Sequence, residues 1–91
     1  MRRYERPGSA DWAEISGADD LSMRECDSLY QTDRKAWGDV VRAVVSAHGM
    51  TRKGAPVDLT ADVLGLTVKQ WDWLRSVILE ATRDEALDPE V

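Results

Sequence analysis

Hydrophobic residues recur at helical spacing in the middle of the chain. In the segment RKAWGDVVRAVVSAHG, apolar side chains lie three and four positions apart, and the charged ones lie on the opposite side. This period predicts an amphipathic helix over residues 34–48. Valine also suits strands, but the strict alternation of a half-buried strand is absent here. The predicted apolar stripe contains Trp37, Val40, Val41, Val44, Val45 and His48.

Two glycines bear on this predicted helix. Gly49 follows it directly and is the residue type that most often ends a helix. His48 would then lie in the last turn, where its cationic form complements the carbonyl end. Gly38 lies inside the helix, where glycine costs about 1 kcal/mol relative to alanine. We therefore expect Gly38 to mark a close crossing of another backbone.

A capping signature predicts an earlier helix start. Ser22 and Glu25 form an S-x-x-E box, in which each residue satisfies a backbone N–H of the other. Cys26 follows at helical spacing from the next apolar residues and is expected to be a small buried side chain. The segment QTDRK, residues 31–35, is either a break between two helices or a polar turn within one.

A second capping box, Thr67 with Gln70, predicts the last helix. That helix is expected over residues 68–83, and a short helix over residues 61–64, stopped by Gly65, would precede it. Trp73 would project from a different side than the apolar face. The apolar face contains Trp71, Leu74, Val77, Ile78 and Ala81.

The N-terminal residues 1–18 read as an extended arm. Pro7-Gly8-Ser9 interrupts any regular element, and Trp12 and Ile15 supply two apolar anchors. A large aromatic on an arm is expected to lie across the chain's own core or on another subunit, because exposing it forfeits burial energy.

These elements predict an all-α fold with three to four helices and an extended N-terminal arm. The chain of 91 residues is long enough for one small domain. We expect an arm over residues 1–18, a helical domain over residues 19–83 and an acidic C-terminal tail over residues 84–91.

Charge argues against nucleic acid as the partner. The formal net charge is −5, and residues 69–91, which include the last helix, carry three basic and six acidic groups. A duplex binder normally presents a basic stripe to phosphates. No apolar run approaches the roughly 20 residues that cross a bilayer, so we expect no membrane association.

The residue types that build catalytic sites are scarce. The chain has one His and one Cys, which do not form a metal pair with ligand spacing. Neither a phosphate-binding loop nor a dinucleotide fingerprint occurs. We therefore predict a protein that is not an enzyme and that holds no cofactor or metal.

The stretch DLTADVLGLTVKQWDWLRSVI also fits a helix-turn-helix. In that alternative, Lys69, Gln70 and Arg75 would meet DNA. Trp71 departs from the pattern, since Val or Ile normally packs inward at that position. Two capped helices joined by a tight turn also occur as plain core hairpins.

Four tryptophans are many for so small a core. Trp37 and Trp71 lie on the strongest apolar stripes and are predicted to be in the core. Trp12 and Trp73 remain, and tryptophan is enriched at interface hot spots. The predicted partner-binding residues are Arg2, Arg3, Tyr4, Arg6, Trp12, Ile15 and Trp73.

The chain resembles small proteins of the head and tail module of tailed phages of actinobacteria. The resemblance lies in the order of its segments, which are DWAEI, ADDL, an apolar helix, GAPVDLTADVLGLT and a Trp-bearing last helix. The resemblance covers residues 11–82. It implies a structural protein of the virion that docks on the capsid shell as a minor capsid or decoration protein. A tail assembly chaperone is the alternative.

This resemblance also implies which partner the protein would bind and where it would be found. The partner would be the major capsid protein or another virion subunit in many copies, and virion symmetry would repeat the contact, with homo-oligomers one consequence. The arm, with its arginines, would lie on an acidic neighbouring subunit and be anchored by Trp12. The protein would be found in the virion, and in the cytoplasm of the bacterial host during assembly.

Overall fold

The computed structural model describes residues 2–31, 33–59 and 65–87, with side chains up to residue 83. The predicted short helix over 61–64 and the end of the acidic tail lie outside the described residues. The strands are β1 Arg2–Glu5, β2 Trp12–Ile15, β3 Val45–His48, β4 Thr51–Arg52 and β5 Ala55–Pro56. The helices are a 3-10 turn Ala18–Asp20, α1 Met23–Ser28, α2 Arg34–Val44 and α3 Val68–Leu87.

The predicted all-α class is wrong, because the fold is α+β. Strands β1, β2 and β3 form an antiparallel sheet in that order, and β4 and β5 form a separate two-stranded hairpin. The predicted arm is the first hairpin of the sheet. Residues 12–15 alternate between half-buried and buried positions, with Ala13 and Ile15 fully buried. Four residues are too few for this period of two to stand out in the sequence.

Helix α2 ends four residues earlier than its apolar stripe predicted. Val44 is its last residue, and Val45–His48 continue directly as β3. Strand β3 pairs with β2, matching Ala13 to His48 and, after a bulge, Ile15 to Val45. Pairing with β2 thus overrides the helical period, and Gly49 follows a strand rather than ending a helix.

Both predicted capping boxes are confirmed. The Ser22 hydroxyl accepts from the Glu25 N–H at 3.1 Å, and the Glu25 carboxylate accepts from the Ser22 N–H at 3.0 Å. Thr67 and Gln70 make the same exchange at 3.1 and 2.9 Å. The helices α1 and α2 are separate: α1 ends at Ser28, and Asp33 of QTDRK caps α2 by accepting from the Ala36 N–H, so that Arg34 and Lys35 are already the first residues of α2.

The core lies between the sheet and helices α2 and α3. Trp37 and Trp71 are half-buried against it rather than enclosed, with ring centroids 4.8 Å apart. Cys26 is likewise half-buried, so its predicted full burial is wrong. The fully buried larger side chains are Ile15, Leu29, Met50, Leu74, Ile78, Val40, Val41 and Val44.

The surroundings of two glycines differ from those that the sequence predicted. A Cβ placed at Gly38 would lie nearest to the flexible Arg42 side chain. The expected close contact with another backbone is therefore not observed there. The close approach occurs instead at Gly49, where a Cβ would overlap the indole nitrogen of Trp12. The Gly49 N–H also donates to the Trp12 carbonyl at 2.9 Å.

Replacing Gly49 should therefore destabilise the sheet. We expect Gly49→Ala to lower the free energy of unfolding by about 1–3 kcal/mol, because the added methyl group forces the Trp12 ring out of its position. Urea unfolding followed by circular dichroism would measure this loss.

Gly65→Ala is the matched control. A Cβ there would lie 3.7 Å from the Val57 Cγ1 atom, which is an ordinary contact. Its stability should change by no more than about 0.5 kcal/mol. Equal stability of the two variants would contradict the packing of Trp12 on Gly49.

Candidate interaction surface

The outer face of the N-terminal hairpin carries a half-buried tryptophan beneath an arginine. Arg3 and Glu5 of β1 stand opposite Glu14 and Trp12 of β2. The Arg3 guanidinium carbon lies 4.3 Å from the centroid of the Trp12 ring, within the range of a cation–π contact. Trp12 is therefore covered within its own chain, by Arg3 and by the backbone at Gly49.

Of the six other predicted partner-binding side chains, one is buried and three are half-buried. Ile15 is fully buried in the core. Trp73 is half-buried and packs against the core, and Tyr4 does the same from β1. Arg6 is bound to Asp11. Only Arg2 and Arg3 are exposed, and Arg3 also lies 3.7 Å from the Glu5 carboxylate.

A buried polar cluster lies under this hairpin. The Asp11 carboxylate accepts from the Arg6 guanidinium at 2.9 Å and from the Gln70 amide nitrogen at 3.3 Å. The same Gln70 nitrogen donates to the Thr51 carbonyl at 2.8 Å. Asp11 and Gln70 are 6% and 4% exposed, so these bonds are shielded from water. The cluster joins the first hairpin, β4 and the start of α3.

Only one of the two main residues of this cluster can be recognised in the sequence. Gln70 was identified as the capping residue of α3, and its side-chain oxygen fills that role while its nitrogen reaches Asp11. Asp11 follows the turn of the first hairpin, and nothing in its surroundings along the chain points to a partner 59 positions away.

Hydrogen bonds determine the ionisation of Asp11. Burial alone would raise the pKa of this carboxyl group, since it disfavours the charged form. Bonds from Arg6, Gln70, Ser9 and the Thr51 backbone outweigh that effect and hold the pKa below the ordinary 3.8. Asp11 is therefore a charged, fully engaged structural group.

His48 and Cys26 are the other side chains that could take part in proton transfer or nucleophilic chemistry, and both have shifted pKa values. Burial lowers the pKa of His48, although Asp58 opposes the shift, and its Nδ1 accepts from the Met50 N–H at 3.2 Å. Burial and two neighbouring carboxylates raise the pKa of Cys26, which disfavours the reactive thiolate. Within residues 2–31, 33–59 and 65–83, no three His, Cys, Asp or Glu side chains are placed to hold a metal ion.

Two open cavities flank α2. One, of about 600 Å³, lies along β3 and is lined by both apolar and polar groups, including Val45, His48 and Asp58. The other, of about 630 Å³, lies between α1 and α2, and four of its nine lining residues are acidic. In the described part of the chain, no helix is long and apolar enough to cross a membrane.

Two of the three side chains expected to contact DNA already make hydrogen bonds within the chain. Gln70 is buried in the polar cluster. Arg75 is half-buried and donates to the Leu29 carbonyl and to the Asp72 carboxylate. Lys69 alone of the three is exposed without such bonds among the described residues. The first turns of α3 therefore contact the rest of the chain through Gln70 and Arg75.

Strand β1 is one edge of the three-stranded sheet, with a neighbour on one side only among the strands described. Strand β3 is the other edge, and it shares the lining of a cavity with residues 56–59. An edge strand can accept another strand through backbone hydrogen bonds. Arg2, Arg3 and Glu5 are exposed along β1, so charge would select the partner there.

Comparison with family models, with curated proteins and with solved structures finds no match for this chain. The resemblance to phage head and tail proteins therefore stays a prediction from the sequence pattern.

Loss of the Gln70 side chain should weaken the whole fold. We expect Gln70→Ala to lower the free energy of unfolding by about 1–3 kcal/mol, because it removes one of the donors to the buried Asp11 carboxylate and the amide that donates to the Thr51 carbonyl. Lys69→Ala, at the exposed neighbouring position, should change it by no more than about 0.5 kcal/mol. Chemical denaturation would compare them, and similar losses would contradict the role of the cluster.

Asp11 should also make stability depend on acid. Because its folded-state pKa is lowered, its contribution is complete above the unfolded-state value near 3.8 and is lost as pH falls through the lower folded-state value. The stability advantage of the natural chain over Asp11→Asn should thus shrink between about pH 5 and about pH 2. Urea unfolding across that range measures it, and a constant difference would show that Asp11 is not ionised in the cluster.

Proposed function

We propose that this chain is a non-enzymatic, protein-binding structural protein of a tailed-phage virion that docks on the capsid shell. The phage setting is supported by the sequence resemblance over residues 11–82. The observation that carries protein binding is β1, which has a neighbour on one side only among the described strands and which bears exposed charged side chains.

The docking contact is an ordered strand rather than a flexible arm. The first hairpin is fixed through its pairing with β3, so the contact would be made without ordering a free segment. A partner strand would add to β1 through backbone bonds, and the exposed arginines would favour acidic side chains on that partner. Repetition of this contact by particle symmetry would raise the occupancy of an individually weak site.

Trp12 has a supporting role in this proposal. Its ring lies under Arg3, the side chain that would meet the partner. The ring therefore holds the guanidinium above the sheet, and a partner carboxylate would approach it from the solvent side. Ile15 and Trp73 contribute through the core, since they pack inside the domain.

Charge reversal on β1 tests the proposal. In particles of the encoding phage, Arg3→Glu should strongly reduce the amount of this protein, because it places a negative charge against an acidic partner. Lys69→Glu makes the same reversal at an exposed site on α3 and should leave the amount unchanged. Quantitative mass spectrometry of purified virions measures both, and a thermal melt verifies that each variant is folded.

Two outcomes contradict the proposal. Absence of the natural chain from purified particles would overturn virion docking, and its presence only in infected cells would favour the tail assembly chaperone instead. Equal occupancy of particles by the two variants would overturn β1 as the docking edge.

A further inference from the structure

The boundary between α2 and β3 lacks a local stop signal. From residue 39 to residue 48 the chain contains no glycine or proline, and the apolar stripe of the helix continues to His48. The Val45 N–H still donates to the Val41 carbonyl, as it would inside a helix. The first residue suited to ending the helix is Gly49, slightly more than one turn later.

Contacts from the first hairpin hold residues 45–48 extended. They pair with β2, and the Ser46 hydroxyl donates to the Glu14 carbonyl at 3.2 Å. The Ser16 N–H donates to the Val44 carbonyl at 2.9 Å, which takes up an acceptor that a longer helix would use. At the far end, the Trp12 ring lies against Gly49.

We infer that residues 45–48 form a two-state segment, a strand while the first hairpin is docked and the last turn of α2 when it is not. In the helical state Gly49 would be the residue after the helix, in the left-handed conformation that glycine adopts readily. His48 would then lie near the helix end, and the stripe of α2 would gain Val45. The transition would free the second edge of β2.

This transition does not rest on the virion proposal, because it concerns two arrangements of the chain itself, and the β1 docking edge belongs to the strand state. Its energetic basis is the competition between helix continuation and sheet pairing over the same backbone groups. Trp12 biases the competition, since its ring and its carbonyl both anchor Gly49 in the strand state.

Weakening the Trp12 anchor in the full-length chain tests the inference. In Trp12→Phe and Trp12→Ala, the Cα chemical shifts of residues 45–48 should move from the strand side of the random-coil values to the helix side. Those of α3 should stay helical, which distinguishes the transition from global unfolding. Movement to random-coil values at 45–48, or no movement in either variant, would overturn the inference.

A matched pair at Ser46 provides the second test. Ser46→Ala and Ser46→Val both lose the bond to Glu14, but alanine favours the helix, whereas β-branched valine favours the strand. In the Trp12→Phe background, which retains an aromatic ring on the sheet, the ratio of helical to extended population at 45–48 should be at least about threefold higher for alanine. Equal populations in the two variants would contradict a helical second state, even if Trp12→Ala failed to fold.

Discussion

The hydrogen bonds that the Gln70 amide donates to Asp11 and to Thr51 are the constraint on which the arrangement of the molecule depends. They join a turn in the first hairpin to the start of the last helix, and through Thr51 they include the small β4–β5 hairpin. A buried polar cluster of this kind stabilises only when each member is satisfied. Its members therefore fix the relative positions of three elements that are far apart in sequence.

The capping boxes are the local signals that predicted local structure correctly. The two capping boxes formed as expected because each depends on residues three positions apart. The sheet was missed because its strands are four residues long and because β2 pairs with β3 across two helices. Residues 45–48 show the conflict most directly, since their helical period is genuine and pairing with Ala13 and Ile15 overrides it.

The tryptophans explain why the interaction surface was only partly predicted. The sequence suggested more indole than the interior could enclose, and none of the four rings is in fact fully enclosed. Each is nevertheless covered in part within the chain: Trp12 by Arg3, Trp37 and Trp71 by each other, and Trp73 by the core. Coverage by a guanidinium or by a second indole depends on spatial neighbours, which composition does not reveal.

The topology of the sheet has a consequence for the order of folding. Strands β1 and β2 are separated by a short turn, whereas β3 joins them only after α1 and α2 have been synthesised. Closing that longer loop costs more entropy before any contact compensates for it. On the ribosome, the first hairpin and the early turns of α2 would therefore be present before the third strand, and attachment of β3 would be the late step that completes the sheet.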